Sequence, residues 1–296
     1  MAITAHTPDA TRYYIPTDSH WPIIGSIALF TLMLGAITFL NDWAPAWAFV
    51  PGAVLVAIMF FGWFHTVIGE NQHGIYNLQV DRSFRMGMMW FIFSEVMFFA
   101  AFFGALFYAR ALSVPWLGGH GVKYFTNLIL WPSYENAWPT SGPAHVGGHE
   151  DSSFSVIPAF GVPALNTAIL LTSGLTITVA HHALRAGNRR VLAIFLALTF
   201  LLGFTFVGFQ MGEYGEAYKE LGLRLSTGIY GSTFFMLTGF HGLHVTVGAI
   251  MLLVIWLRVV RGHFTPNRHF AFEAVAWYWH FVDVVWLGLF IFVYWI

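Results

Sequence analysis

The chain has 296 residues, of which 57% are hydrophobic, 19% aromatic and only 9% charged, against roughly 25% charged residues in a soluble domain. Thirteen Lys and Arg nearly balance fourteen Asp and Glu, so there is no basic excess to grip a phosphate backbone and nucleic-acid binding is excluded. The lack of cysteine removes disulfides, thiolate nucleophiles, iron–sulfur clusters and cysteine-held zinc or copper, and a mean hydropathy of +0.67 points to a polytopic membrane protein.

Residues 1–21 are polar and carry one basic residue, Arg12. They read as a cytoplasmic tail rather than a secretory signal, because the apolar segment that follows is too long for a cleaved h-region. Seven stretches then approach the ~20 apolar residues that cross a bilayer: 22–40, 44–64, 86–109, 159–180, 191–212, 228–257 and 270–296. Pro45 and Pro51 fall near the entry of the second, where a missing N–H is tolerated. Glu95 is the one ionisable residue of the third. The sixth is long enough to tilt. The seventh is crowded with Trp277, Tyr278, Trp279, Trp286, Tyr294 and Trp295, whose amphipathic rings suit the two interfaces. Continuous apolar runs exclude a β-barrel, whose strands alternate, so the fold class is all-α with residues 22–296 as one seven-helix domain.

Lys and Arg are unequally shared between the two sides of seven spans. The tail and even-numbered loops hold Arg12, Arg82, Arg85, Arg185, Arg189, Arg190, Arg258, Arg261 and Arg268, while the other side holds Arg110, Lys123, Lys219 and Arg224 among several acidic residues. The N-terminus is therefore expected inside and the C-terminus outside. One long outer connection, about 112–157, is rich in Gly, Pro, Trp and His. Its His120, His145 and His149 are too irregularly spaced for a ligand set and read as solvated. No internal repeat is present, so the inverted-repeat signature of transporters is missing.

Ionisable groups inside a span cost at least about 2.5 kcal/mol and demand partners. Glu95, with Phe91 and Phe99 one turn to either side, is expected to be a neutral, hydrogen-bonded carboxyl. It is either a proton-exchanging, carbodiimide-type group or an interhelical link, and the second is favoured. His241 and His244 are three residues apart on the sixth span. That spacing could ligate a metal or haem, but nearby small residues favour packing. A histidine of this pair is the expected partner of Glu95. Glu273 and His280, seven residues apart with Asp283 beside them, form one stripe on the seventh span. The stripe reads as a proton relay or, preferably, as a polar ladder to the sixth helix. No metal is assigned. Phosphate loops, nucleophile elbows and a soluble substrate domain are absent.

Several strings resemble subunit III of the haem-copper cytochrome c oxidases. They are Arg85-Met-Gly-Met-Met-Trp-Phe-Ile-Phe-Ser-Glu-Val-Met-Phe-Phe99, Leu165-Asn-Thr-Ala-Ile-Leu-Leu-Thr-Ser-Gly174 with His181-His182, and Tyr230-Gly-Ser-Thr-Phe-Phe through Gly239-Phe-His-Gly-Leu-His244. The longest is Phe272-Glu-Ala-Val-Ala-Trp-Tyr-Trp-His-Phe-Val-Asp-Val-Val-Trp286. They follow the family's order and cover nearly the whole chain from Trp21. The resemblance implies a two-helix and a five-helix bundle separated by a lipid-filled cleft. It implies a non-catalytic subunit packed on subunit I, with subunit II in the same complex, and with haem and copper held by those partners. Bound phospholipid is the implied ligand, with Trp63, Glu70, His73, Arg85, Arg258, Arg261 and Phe270 near lipid-contacting positions and Glu95 as the family's intramembrane glutamate. Arg85 and Arg258 also suit phosphate on physical grounds, each lying at an inner span end. The 112–157 connection is longer than in mitochondrial members, which suggests an aa3-type enzyme of a bacterial inner membrane, and beside the lipid-contacting positions Trp63-Phe-His65 stands where those members have a Trp-Arg-Asp run. The alternative from another class is an autonomous proton-coupled transporter using Glu95, Glu273, His280 and Asp283.

Overall fold

The computed structural model describes Ile15, residues 18–143 and residues 154–295. Arg12, His145 and His149 lie outside them. Nine α-helices are found among the described residues: α1 Trp21–Leu40, α2 Val50–Gln72, α3 Leu78–Tyr108, α4 Val114–Leu117, α5 Tyr124–Leu130, α6 Val162–Arg185, α7 Arg189–Lys219, α8 Gly228–Val260 and α9 Phe270–Leu289. The only β-type pairing among these residues is an isolated bridge between Thr265 and Arg268. Seven helical stretches are long and apolar enough to span a membrane, built on α1, α2, α3, α6, α7, α8 and α9. The expected all-α, seven-span architecture is therefore what the chain adopts.

Two boundaries differ from the hydropathy reading. α3 starts at Leu78, before the apolar run, and continues through a wider turn at Ala109–Ser113 into α4. α7 runs on to Lys219, past the polar residues that looked like loop. In both cases a helix leaves the apolar zone without ending, because Gln79, Asp81, Arg82 and Glu213 are compatible with helix wherever partners or water are at hand. The 112–157 connection is likewise not featureless, since it contains α4 and α5.

The chain divides into two compact units, 1–86 and 87–296. In the first, α1 and α2 approach backbone to backbone. A Cβ on Gly52 of α2 would lie 2.5 Å from the Leu32 backbone nitrogen of α1, the close packing that small residues permit between membrane helices. Trp21 donates from Nε1 to Thr66 Oγ1 at 3.0 Å, fastening the start of α1 to α2.

The second unit holds the core, where Trp279, Trp286, Phe206, Phe234 and Phe272 are completely or almost completely buried. α6 and α7 form a tight hairpin. Gly187 takes a positive φ of 74°, and the amide of Asn188 bonds to the Ala183 carbonyl at 2.9 Å, closing α6 with a left-handed cap. The Asn188 side chain then accepts from the Val191 amide at 3.2 Å and starts α7. Trp256 on α8 donates to the Ala193 carbonyl of α7 at 3.0 Å.

The aromatic residues of the last span do not all seek the interfaces. Trp279, Trp286 and Tyr278 are buried, because α6 supplies hydroxyl acceptors for the two indoles: Trp279 Nε1 to Ser173 Oγ and Trp286 Nε1 to Thr167 Oγ1, both 2.9 Å. With its N–H satisfied, a tryptophan is a large apolar side chain and belongs in a core. Trp295, near the end of the helix, is 61% exposed.

Candidate functional site

The polar residues of the second unit are placed by three helices around α9. Glu95 sits midway along α3, and its Oε2 lies 2.9 Å from Nε2 of His244 on α8. The other ring nitrogen, Nδ1, is 2.6 Å from the Phe240 carbonyl. A carbonyl only accepts, so Nδ1 carries a hydrogen, and the Glu95–His244 contact holds one further proton between Nε2 and Oε2. Phe99 packs edge-on against the imidazole at 5.0 Å and Tyr278 stacks at 6.3 Å, while the Tyr278 hydroxyl donates to the His244 carbonyl at 3.3 Å. The expected link from Glu95 to the sixth span exists, and its partner is His244.

His241 points elsewhere. It is fully buried, its Nε2 donates to the Val282 carbonyl of α9 at 3.1 Å, and its ring packs against Phe206 and Trp286 at 5.7 and 5.1 Å. The two histidines differ by about 60° in azimuth, since three residues at ~100° each fall short of a full turn. That difference sends them to different helices, so they do not converge on one ion, and interhelical packing is the role the structure gives them.

The stripe on α9 meets α6, not the α8 neighbour expected from sequence. Glu273 Oε1 lies 3.5 Å from His181 Nε2, His280 Nε2 lies 3.4 Å from Thr178 Oγ1, and a Cβ on Gly174 would come within 2.7 Å of Asp283 Oδ2. Gly174, Thr178 and His181 follow at i, i+4 and i+7, one face of α6, and that face matches the seven-residue spacing of Glu273 and His280. The stripe is not uniformly internal either. His280 is exposed and Glu273 partly so, whereas Asp283 is buried.

Comparison with known proteins bears on what this arrangement belongs to. A family model described as Cytochrome c oxidase subunit III matches residues 11–123 and 123–296. The chain belongs to the cytochrome c oxidase subunit III family. Cytochrome c oxidase subunit 3 of Papio hamadryas is 40% identical over 284 residues, 96% of each chain. That of Gadus morhua is 39% identical over 290 residues, 98% of each, and that of Carassius auratus 39% identical over 296 residues, all of this chain and 99% of the relative.

The residues that resemblance to subunit III tied to lipid are scattered in environment. In the first unit, Trp63 is 44% exposed, Glu70 accepts from the Tyr76 hydroxyl, the His73 ring contacts the Gly69 carbonyl at 2.6 Å, and Arg85 Nε donates to Asp81 Oδ2 at 2.8 Å. In the second unit, Arg261 is exposed and Phe270 packs edge-on to Trp277 at 6.4 Å. Arg258 is only 6% exposed and lays its guanidinium on the Phe264 ring at 4.5 Å. Its cation is thus held by an aromatic face rather than spread in solvent.

Two subunit III features escaped the sequence reading. Glu213, one residue beyond the predicted 191–212 span, is 3% exposed inside α7 and accepts from the Tyr294 hydroxyl at 2.6 Å. Its signal was its place one helical step beyond Gln210, which also faces inward and donates to the Thr238 carbonyl at 2.9 Å. His269, at the start of α9, gathers with His181 and Glu273, a grouping that no spacing in the sequence announces. His120 is exposed and bonded to Asn136 at 3.0 Å, in keeping with a loop residue.

Proposed function

We propose that this respiratory oxidase subunit is a non-catalytic core subunit. It stabilises the subunit I of its complex, assembles beside subunit II, holds phospholipid, and supports proton uptake and the endurance of the enzyme during turnover. The observation that carries this reading is the Glu95–His244 pair. A carboxyl well inside a span is spent, with one shared proton, on fastening α3 to α8, which is what a scaffold needs and a transport pathway does not. His241 to Val282, Trp279 to Ser173 and Trp286 to Thr167 spend their polar groups in the same way.

The reading assigns haem and copper to the partner subunits and makes the assembled complex, rather than this chain, the proton-translocating oxidase. Lipid headgroups are assigned to the basic residues at the span ends, Arg85 and Arg258 above all, where a guanidinium can take a phosphate bidentately. We place the N-terminus on the cytoplasmic side and the C-terminus on the periplasmic side, supported by the bias of Lys and Arg toward the N-terminal side. The long 112–157 connection supports a bacterial inner membrane. An autonomous proton-coupled transporter would need Glu95, Glu273, His280 and Asp283 along one path. Glu95 instead pairs with α8 while the other three face α6. The test is purification in mild detergent. Co-elution with haem-bearing chains supports the subunit reading, and a pure chain that moves protons in liposomes overturns it.

A further inference from the structure

The grouping of His181, His269 and Glu273 has no part in the functions described above. His181 lies just before the last turn of α6, His269 is the residue before α9, and Glu273 lies in the first turn of α9. His269 Nε2 is 3.2 Å and His181 Nε2 3.5 Å from the same carboxylate oxygen, Oε1, and all three ligand-type atoms lie within 4.8 Å of one another.

Ordinary hydrogen bonding does not account for this geometry. Both Nε2 atoms are buried and make no hydrogen bond, so the short approaches to Oε1 are misaligned for N–H···O contacts. On His269 the other nitrogen is spoken for. Nδ1 lies 3.2 Å from the Thr265 carbonyl, and since a carbonyl only accepts, Nδ1 is the protonated atom of the neutral ring. Nε2 then presents a lone pair toward a carboxylate that also offers lone pairs. Acceptors facing one another at about 3 Å need either a second ring proton or a metal cation between them, and the misaligned, buried Nε2 atoms favour the metal.

We propose that His181, His269 and Glu273 form a binding site for a divalent transition-metal ion, zinc above all. Two imidazole nitrogens and a carboxylate oxygen are a ligand set of the zinc type, with a fourth position left for water or an incoming group. Tetrahedral bonds of about 2.0–2.1 Å place neighbouring ligand atoms about 3.3 Å apart. The two edges that meet at Oε1, 3.2 and 3.5 Å, bracket that value. The contact from His269 Nδ1 to a backbone carbonyl is the outer-shell bond that fixes the tautomer of a metal-bound histidine. The His181 ring is steadied by Phe272 at 5.5 Å. The site would pin the end of α6 to the start of α9, and it is independent of the subunit's proposed role.

The test uses the intact complex, stripped with a chelator and titrated with radiolabelled zinc in equilibrium dialysis. Wild type should take up one more equivalent than His269→Gln or Glu273→Gln, or bind it at least tenfold more tightly. His280→Gln, on the same side of α9 but outside the triad, should behave as wild type. Assembly of each variant is read from the haem spectrum of the purified complex. X-ray absorption at the zinc edge of the reloaded wild type should show two imidazoles and a nitrogen/oxygen shell at about 2.0–2.1 Å, and this readout does not depend on any variant assembling. Superimposed isotherms for wild type and the two ligand variants, or a wild-type spectrum without imidazole scattering, would overturn the proposal.

Discussion

At the scale of single residues, the decisive atom is the proton shared by Glu95 and His244. With His244 Nδ1–H committed to the Phe240 carbonyl, Nε2 needs a donor when the ring is neutral, and a glutamine amide can serve as well as a carboxyl. Glu95→Gln should therefore leave assembly and proton pumping close to wild type. Glu95→Ala leaves a half-buried imidazole nitrogen without its partner and should cost about 1–3 kcal/mol in general experience. The loss should appear as a shorter active lifetime during turnover rather than as a lower initial rate. A Gln variant that assembles but does not pump would make Glu95 an obligatory proton carrier. Arg258 poses a different question, because its guanidinium lies on Phe264 and its Nε makes no hydrogen bond. Arg258→Ala should lower the phospholipid retained per complex and loosen the end of α8, with initial oxygen reduction near normal. Phosphorus analysis beside a turnover assay separates these effects.

At the scale of helices, α6, α7 and α8 are fitted to the indole of Trp279. A Cβ on Gly203 of α7 would lie 2.6 Å from Trp279 Cη2, and one on Gly248 of α8 2.9 Å from Cε3. Gly203→Ala should push the indole off its bond to Ser173 and destabilise the complex by about 1–3 kcal/mol through overpacking, seen as a lower thermal midpoint in detergent. Gly208→Ala, on the same helix with open space beside it, should not lower it. The spans themselves were legible because a charge-free apolar run of that length has few alternatives in a membrane. What was hidden depended on partners distant in sequence. The partner of Glu95 was narrowed to two histidines, but which one reaches α3 is set by the rotation of α8, and that rotation comes from packing. The polar stripe of α9 was correctly grouped yet assigned to the wrong neighbour, because helix order in the chain does not dictate which faces meet. Glu213 was lost because a carboxylate after an apolar run looks like the start of a loop, and Tyr294, whose hydroxyl reaches its Oε1, lies two spans further on.

At the scale of the whole molecule, the absence of native cysteine makes the proposed orientation easy to test. Single cysteines at Arg190 and Arg268, in the connections expected on the N-terminal side, should react with a membrane-impermeant maleimide only from the cytoplasmic face. One at Glu220, after α7, should react only from the periplasmic face, and the reverse pattern would invert the topology. The many apolar side chains exposed along the first three spans must be covered by lipid or by neighbouring subunits, which is what membership of an oxidase complex supplies. On the proposed function, this subunit sustains the oxidase without taking part in its redox chemistry. The most direct measurement compares oxygen reduction over time by the complex with and without this chain. Without the chain, the complex should keep an unchanged haem spectrum and an initial rate close to normal, and should inactivate early in a way that is reversed when the chain is restored. An immediate loss of oxygen reduction together with an altered haem spectrum would contradict it.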